Sequence, residues 1–166
     1  MSGSPPVGDP GAHVTPSAPP APSALPQILV PDACAGVKWF VPETDAADAR
    51  RLLAPRFSLH VPTSFFTESA SVLQRKVAVD GTLSEADGLA AFQLLRTVPV
   101  TVHPTTPLLE AAFRIGVRYR RPVYDSLYLV LASSLGGRVV TADKRLYHGA
   151  HGGPLDFLVL WVTDPL

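Results

Sequence analysis

The 166-residue chain has little of what builds disulfides, thiolate metal sites or a strong charge field. Cys34 is its single cysteine, which excludes an internal disulfide and leaves no paired Cys and His spacing of the kind that binds zinc. Charged residues make up only 17% of the chain and the formal net charge is +0, so no general field attracts it to nucleic acid or to an anionic membrane. Any basic surface must therefore be local.

Long apolar runs are also missing from the sequence. No window holds the ~20 apolar residues that a membrane span requires. The first residues lack the positive start and apolar stretch of a signal peptide. With one cysteine and no export signal, we expect a reducing, cytoplasmic location and no membrane partner.

Proline is present but unevenly distributed, since half of the 18 prolines lie in positions 1–31. Residues 1–26 are rich in Pro, Ala, Ser and Gly, and a segment of this composition cannot bury enough apolar surface to offset the entropy lost on ordering. We therefore expect 1–26 to be a disordered extension. Residues 27–166 are then expected to form one domain, for which the 46% hydrophobic content provides a sizeable core.

Short apolar segments alternate with helical patterns from residue 27 onward. The pattern predicts strands at 28–32, 57–61, 98–103, 138–142 and 157–162. It predicts helices at 46–53, 64–77, 85–96, 106–118, 124–135 and 144–147, with Thr44 or Asp45 capping the first and Ser84 capping the third. Buried strands separated by helices are typical of an α/β fold whose mostly parallel central sheet is covered on both faces.

Four acidic residues lie in separate apolar surroundings, at Asp32, Glu68, Asp125 and Asp143. Asp32 and Asp143 end or follow predicted strands, and in parallel sheets ligands bind at the rim beyond the carboxyl ends of the strands. Buried carboxylates that converge repel one another unless a cation compensates them, and no matching set of buried lysines or arginines is evident. Oxygen ligands favour a hard cation, so we predict Mg²⁺ or Mn²⁺.

At these acids the chain resembles the PIN-domain ribonucleases, most closely the VapC-type toxins of toxin–antitoxin pairs. The matching segments are DACAGVKWF at 32–40, Glu68 on its helix, YDSLYLVLA at 124–132 and TADKRL at 141–146. The resemblance extends over about residues 27–163. Two features depart from the family pattern, namely Cys34, where these toxins more often have Ser, Thr or Asn, and the N-terminal extension.

The resemblance implies a three-layer α/β/α nuclease that cleaves RNA with Mg²⁺ or Mn²⁺. Asp32 and Asp125 are then the principal metal ligands, Asp143 completes or supports the site, and Glu68 binds a second metal or holds the attacking water. Thr141 is expected to orient a carboxylate or water. The resemblance also implies a small cognate antitoxin that covers the acidic pocket, and a homodimer of the nuclease itself.

Other interpretations of the same residues stay open. Asp32 and Asp125 are also good helix caps, Asp143 suits a turn, and a half-exposed helical Glu68 needs no function. The basic run at Arg118, Arg120 and Arg121 indicates either solvated loop charges or phosphate contacts. A PIN scaffold that binds RNA or a partner without cutting is the alternative function. A phosphatase of the haloacid dehalogenase type is disfavoured because it needs an acid at position 34.

Overall fold

The computed structural model describes Met1 and residues 25–166, which form a five-stranded α/β domain. The predicted disordered extension, 1–26, lies almost wholly outside the described residues and stays a prediction. Within those residues the strands are β1 (Gln27–Pro31), β2 (Phe57–Pro62), β3 (Thr101–His103), β4 (Arg138–Thr141) and β5 (Val159–Trp161). The helices are α1 (Ala33–Val37), α2 (Ala46–Arg50), α3 (Ser64–Ala78), α4 (Glu85–Leu95), α5 (Leu109–Tyr119), α6 (Val123–Leu135) and α7 (Lys144–Ala150).

The sheet has the strand order β3-β2-β1-β4-β5, and all its pairings are parallel. Leu29 and Val30 on the central strand are both fully buried, although successive strand residues face opposite sides of a sheet. Helices must therefore cover both faces, as the predicted three-layer α/β/α arrangement requires. The prediction of a mostly parallel sheet is confirmed.

The helices pack in two groups. In the first, α1, α3 and α4 contact one another, and in the second α5 packs on α6, which lies against β1, β2 and β4. Gly36 permits the close approach of α1 to α3, because a Cβ atom at position 36 would lie 2.5 Å from the Phe65 Cζ atom. Phe65 is itself fully buried, so α1 is fixed against the core directly beside Asp32.

Several predicted boundaries are wrong, for local reasons. The third strand covers only Thr101–His103, because Pro99 has no N–H for the ladder and the amide of Val100 donates locally to Val98 O. The predicted helix 46–53 changes to a 3-10 turn at Arg51–Leu53, and Asp45 makes no capping hydrogen bond from its side chain. The fifth strand is preceded by another 3-10 turn, Asp156–Leu158.

Other local predictions are confirmed. The Ser84 hydroxyl accepts a hydrogen bond from the Asp87 amide at 3.1 Å and so caps α4. Gly136, with φ of 66°, ends α6 in the left-handed conformation that glycine adopts without strain. Among the residues that the structure describes, no helix combines the length and apolar character needed to cross a membrane.

Candidate active site

The four predicted acids line one groove of about 930 Å³. Asp32 directly follows β1 and Asp143 lies two residues after β4, and these two strands are neighbours in the sheet. Glu68 reaches the groove from α3 and Asp125 from the first turn of α6. The structure therefore brings the four side chains to the same rim, where the carboxyl ends of the parallel strands meet.

Asp32 is the most buried of the four acids, with 5% of its surface exposed. Its Oδ1 atom accepts a hydrogen bond from the Ala35 amide at 2.7 Å, so the side chain does cap α1. Burial raises the pKa of Asp32 to about 7, and the charge of Asp143 adds to this, against the lowering effect of hydrogen bonds from Thr141 and Ala35. The cap and the candidate ligand are thus the same carboxylate.

Thr141 is fully buried at the end of β4 and connects two of the acids. Its hydroxyl donates a hydrogen bond to Asp32 Oδ2 and accepts one from the Asp143 amide at 2.9 Å. Because the hydroxyl has a single proton and gives it to Asp32, that carboxylate is held in one orientation. The expectation that Thr141 orients a carboxylate is confirmed.

Asp143 has a different environment from Asp32. Its Oδ1 atom accepts from the Arg145 amide at 2.8 Å and so caps α7, while its Oδ2 atom pairs with Arg145 Nη2 at 3.1 Å. Burial alone would raise the pKa of Asp143, but the hydrogen bonds and charge of Arg145 outweigh it and the pKa is lowered. Asp143 therefore stays ionised beside Asp32 and strengthens the negative field of the groove.

Glu68 is half-buried and held by a contact between distant parts of the chain. The Tyr128 hydroxyl donates to Glu68 Oε1 at 3.1 Å. Burial raises the pKa of Glu68 and the charge of Asp125 raises it further, while the hydrogen bond from Tyr128 lowers it. A half-buried glutamate that receives a buried tyrosine hydroxyl is a fixed part of the groove, unlike a freely solvated helical residue.

Asp125 has the fewest hydrogen bonds of the four carboxylates in the site. It lies inside the first turn of α6, whose N-cap position is occupied by Pro122, so it is not the cap of this helix. It accepts no hydrogen bond from any residue in the described part of the chain. Burial raises the pKa of Asp125 and the charge of Asp143 adds to this, whereas Arg145 and Arg121 lower it. Its free oxygens are available to a ligand.

Arg121 has a role that sequence reasoning did not find. Its Nη1 atom donates to the backbone oxygens of Arg145 at 3.2 Å and Leu146 at 3.4 Å. The guanidinium lies over Gly149, where a Cβ atom would clash with it. Arg121 therefore connects the segment before Asp125 to helix α7. The basic run was interpreted as solvated loop charges or as phosphate contacts, and neither interpretation includes this structural role of Arg121.

The donor atoms fit a hard divalent cation. Asp125 has unpaired oxygens, Glu68 accepts one hydrogen bond, and each oxygen of Asp32 retains a further lone pair beyond its single hydrogen bond. Among residues 25–166, however, no three His, Cys, Asp or Glu side chains are already gathered closely enough to hold an ion.

Comparison with known proteins assigns this chain to a family. The PIN domain family model matches residues 29–152. Ribonuclease VapC3 of Mycobacterium tuberculosis (strain ATCC 25618 / H37Rv) is 35% identical over 126 residues, which are 76% of this chain and 90% of that protein. Ribonuclease VapC9 of the same strain is 37% identical over 119 residues, which are 72% of this chain and 88% of that protein.

Solved structures agree on the fold. PAE2754 from Pyrobaculum aerophilum matches with a TM-score of 0.61 at 21% identity, over 82% of this chain and 84% of that chain. The sarcin–ricin loop cleaving toxin VapC20 of Mycobacterium tuberculosis matches with a TM-score of 0.57 at 17% identity, over 71% of this chain and 92% of that chain. The chain therefore belongs to the PIN-domain family. Within that family its relatives are the VapC ribonucleases, which confirms the resemblance and makes the chain a nuclease of this class.

The raised pKa of Asp32 predicts how stability depends on pH. The folded-state pKa of about 7 exceeds the usual 3.8, so the folded chain holds this proton more tightly than the unfolded chain. Asp32 should therefore lower the free energy of unfolding without metal by on the order of a few kcal/mol as pH rises from about 3.8 to about 7. Urea denaturation in chelator at several pH values measures it.

The Asp32→Asn variant isolates the contribution of Asp32 to the pH dependence of stability. Asparagine can still cap α1, and the other titratable groups, such as His60, are unchanged. Its stability should vary clearly less with pH than that of the parent. Asp80→Asn, at an exposed carboxylate outside the groove, should keep the parental dependence. Equal pH dependence of the Asp32→Asn variant and the parent would contradict the assigned environment of Asp32.

Proposed function

We propose that the protein is an endoribonuclease that cleaves RNA with Mg²⁺ or Mn²⁺, and that it is the toxin of a toxin–antitoxin pair. The observation that carries the proposal is the convergence of Asp32, Glu68, Asp125 and Asp143 on one groove in a chain of the PIN-domain family. The names of its relatives, VapC ribonucleases, support RNA as the substrate. The cytoplasm, where RNA is made and used, is the proposed location.

The residues take different parts in this proposal. Asp32 and Asp125 would hold the cation, since one is held rigidly by Thr141 and the other has free oxygens. When bound, such an ion activates water and stabilises the charge that develops on a phosphate. Glu68, with its raised pKa, is suited to position the attacking water and accept its proton. Asp143 stays ionised and fixes the start of α7.

Cleavage of a labelled RNA in the presence of Mg²⁺ tests the proposal. Asp125→Asn should lower the cleavage rate by at least about a hundredfold, because it removes a charged ligand at the reacting phosphate. Without metal the same variant should melt at or above the parental temperature, since Asp125 is a partly buried charge with no hydrogen bond. Asp80→Asn is the matched control and should cut at the parental rate.

Two outcomes would count against the proposal. If the folded Asp125→Asn protein cuts as fast as the parent, the site is wrongly assigned. If the parent binds RNA but never cuts it, the chain is the non-cleaving PIN scaffold.

We also propose two protein partners, a second copy of this chain and a small antitoxin that covers the acidic groove. Helix α5 supports a protein interface, because Leu109, Phe113 and Val117 follow one another at four-residue intervals and are 44%, 62% and 65% exposed. An exposed apolar stripe of this kind marks a contact surface. We assign the stripe to the second copy and the groove to the antitoxin.

Light scattering coupled to size exclusion tests both partners. The chain alone should elute as a dimer, and Phe113→Glu should shift it to a monomer because a charge at that position cannot be desolvated in an apolar contact. Phe157→Glu, at a 71% exposed residue outside the stripe, is the control and should remain dimeric.

Co-expression with the adjacent small gene should give a heteromeric peak that cuts no RNA. A monomeric parent would refute the dimer, and an adjacent product that never co-elutes would refute the antitoxin assignment.

A further inference from the structure

The groove extends beyond the four acids along helix α3. Its wall past Glu68 is lined by Ser71, Val72, Gln74, Arg75 and Val79. Positions 68 and 75 are two helical turns apart, so they share one face of α3 and are separated by about 10 Å along its axis. None of the four acids lies on this part of the wall, which therefore differs from the acidic end in charge.

Arg75 is an exposed cation on this wall. Within residues 25–166 it makes no ion pair and no side-chain hydrogen bond. Its neighbour Lys76, in contrast, is paired with Glu43 at 2.6 Å. Arg75 lines the same groove as Asp32 and Cys34, so its positive charge belongs to the surface that a strand bound at the acids would follow.

We propose that Arg75, with the Gln74 amide, forms a subsite for a backbone phosphate of the RNA strand next to the phosphate that is cleaved. This inference rests on the proposed ribonuclease function and adds the path of the substrate, which runs along α3. A groove lined by four carboxylates repels phosphates, and Arg75 is a cation that lines it away from the acidic end, where Arg145 is paired with Asp143. The planar guanidinium fits phosphate oxygens with two parallel hydrogen bonds.

The remaining residues of the wall have smaller parts in the subsite. The Ser71 hydroxyl already donates to Thr67 O at 3.0 Å, so it has no proton left for a phosphate. Val79, which is 73% exposed, offers an apolar surface for a base at the end of the groove. Phosphate contacts position a strand without reading its sequence. The subsite should therefore set the register of the RNA and leave base preference to other contacts.

Binding of a fluorescein-labelled oligouridylate to the full chain in chelator, followed by anisotropy, tests the subsite without cleavage. Arg75→Gln should raise Kd about three- to tenfold and should reduce the slope of log Kd against log salt by ~0.7, measured between about 50 mM and about 200 mM salt. Arg75→Lys should restore the slope but only part of the affinity, because lysine keeps the charge and loses the fork geometry.

Arg96→Gln is the matched control, since Arg96 is exposed, has no ion pair among the described residues and lies outside the groove. It removes the same charge and should leave Kd and slope at parental values, and all variants should melt like the parent. If Arg75→Gln behaves like Arg96→Gln while the parent cuts RNA, the subsite is wrong and the proposed function stands. A parent that neither binds nor cuts RNA would overturn both.

Discussion

The buried Asp32 carboxylate is the constraint on which the rest of the site depends. It lies at the end of the central strand, is 5% exposed and has other carboxylates around it. Its two oxygens receive hydrogen bonds from the Ala35 amide and the Thr141 hydroxyl. These bonds do not cancel the cost of burial, because the pKa remains raised to about 7. The fold therefore stores an unfavourable charge at a defined point, and a bound cation would relieve it.

The pKa values of the neighbouring acids are shifted in different directions. Arg145 keeps Asp143 ionised, whereas burial raises the pKa of Asp125 and Glu68. Arg121 ties the segment before α6 to α7 and thereby links the Asp125 side of the groove to the Asp143 side. Asp143 is ionised, whereas the other three acids have raised pKa values. The charge of the site therefore depends on what binds in it, because a bound cation favours the ionised form of these carboxyl groups.

The sequence was sufficient to predict the parallel sheet and to single out the four acids that line one groove, because both depend on local patterns. Apolar strands alternate with helices, Asp32 directly follows β1, and Asp143 lies two residues after β4. Contacts between distant residues were not predictable in this way. Glu68 and Tyr128 are 60 positions apart, and no local pattern pairs Arg121 with Gly149. Helix α1 was missed because five residues are too few to show a helical period.

Binding of Mg²⁺ to the full chain, followed by its melting temperature, tests the central claim most directly. A cation that binds the folded chain alone stabilises it, so Mg²⁺ should raise the melting temperature of the parent, while KCl of equal ionic strength should not. Asp32→Asn and Asp125→Asn should lose most of this rise, and Asp80→Asn should keep it. An equal rise in all four proteins, or none in the parent, would contradict the account of the acidic groove as a cation site.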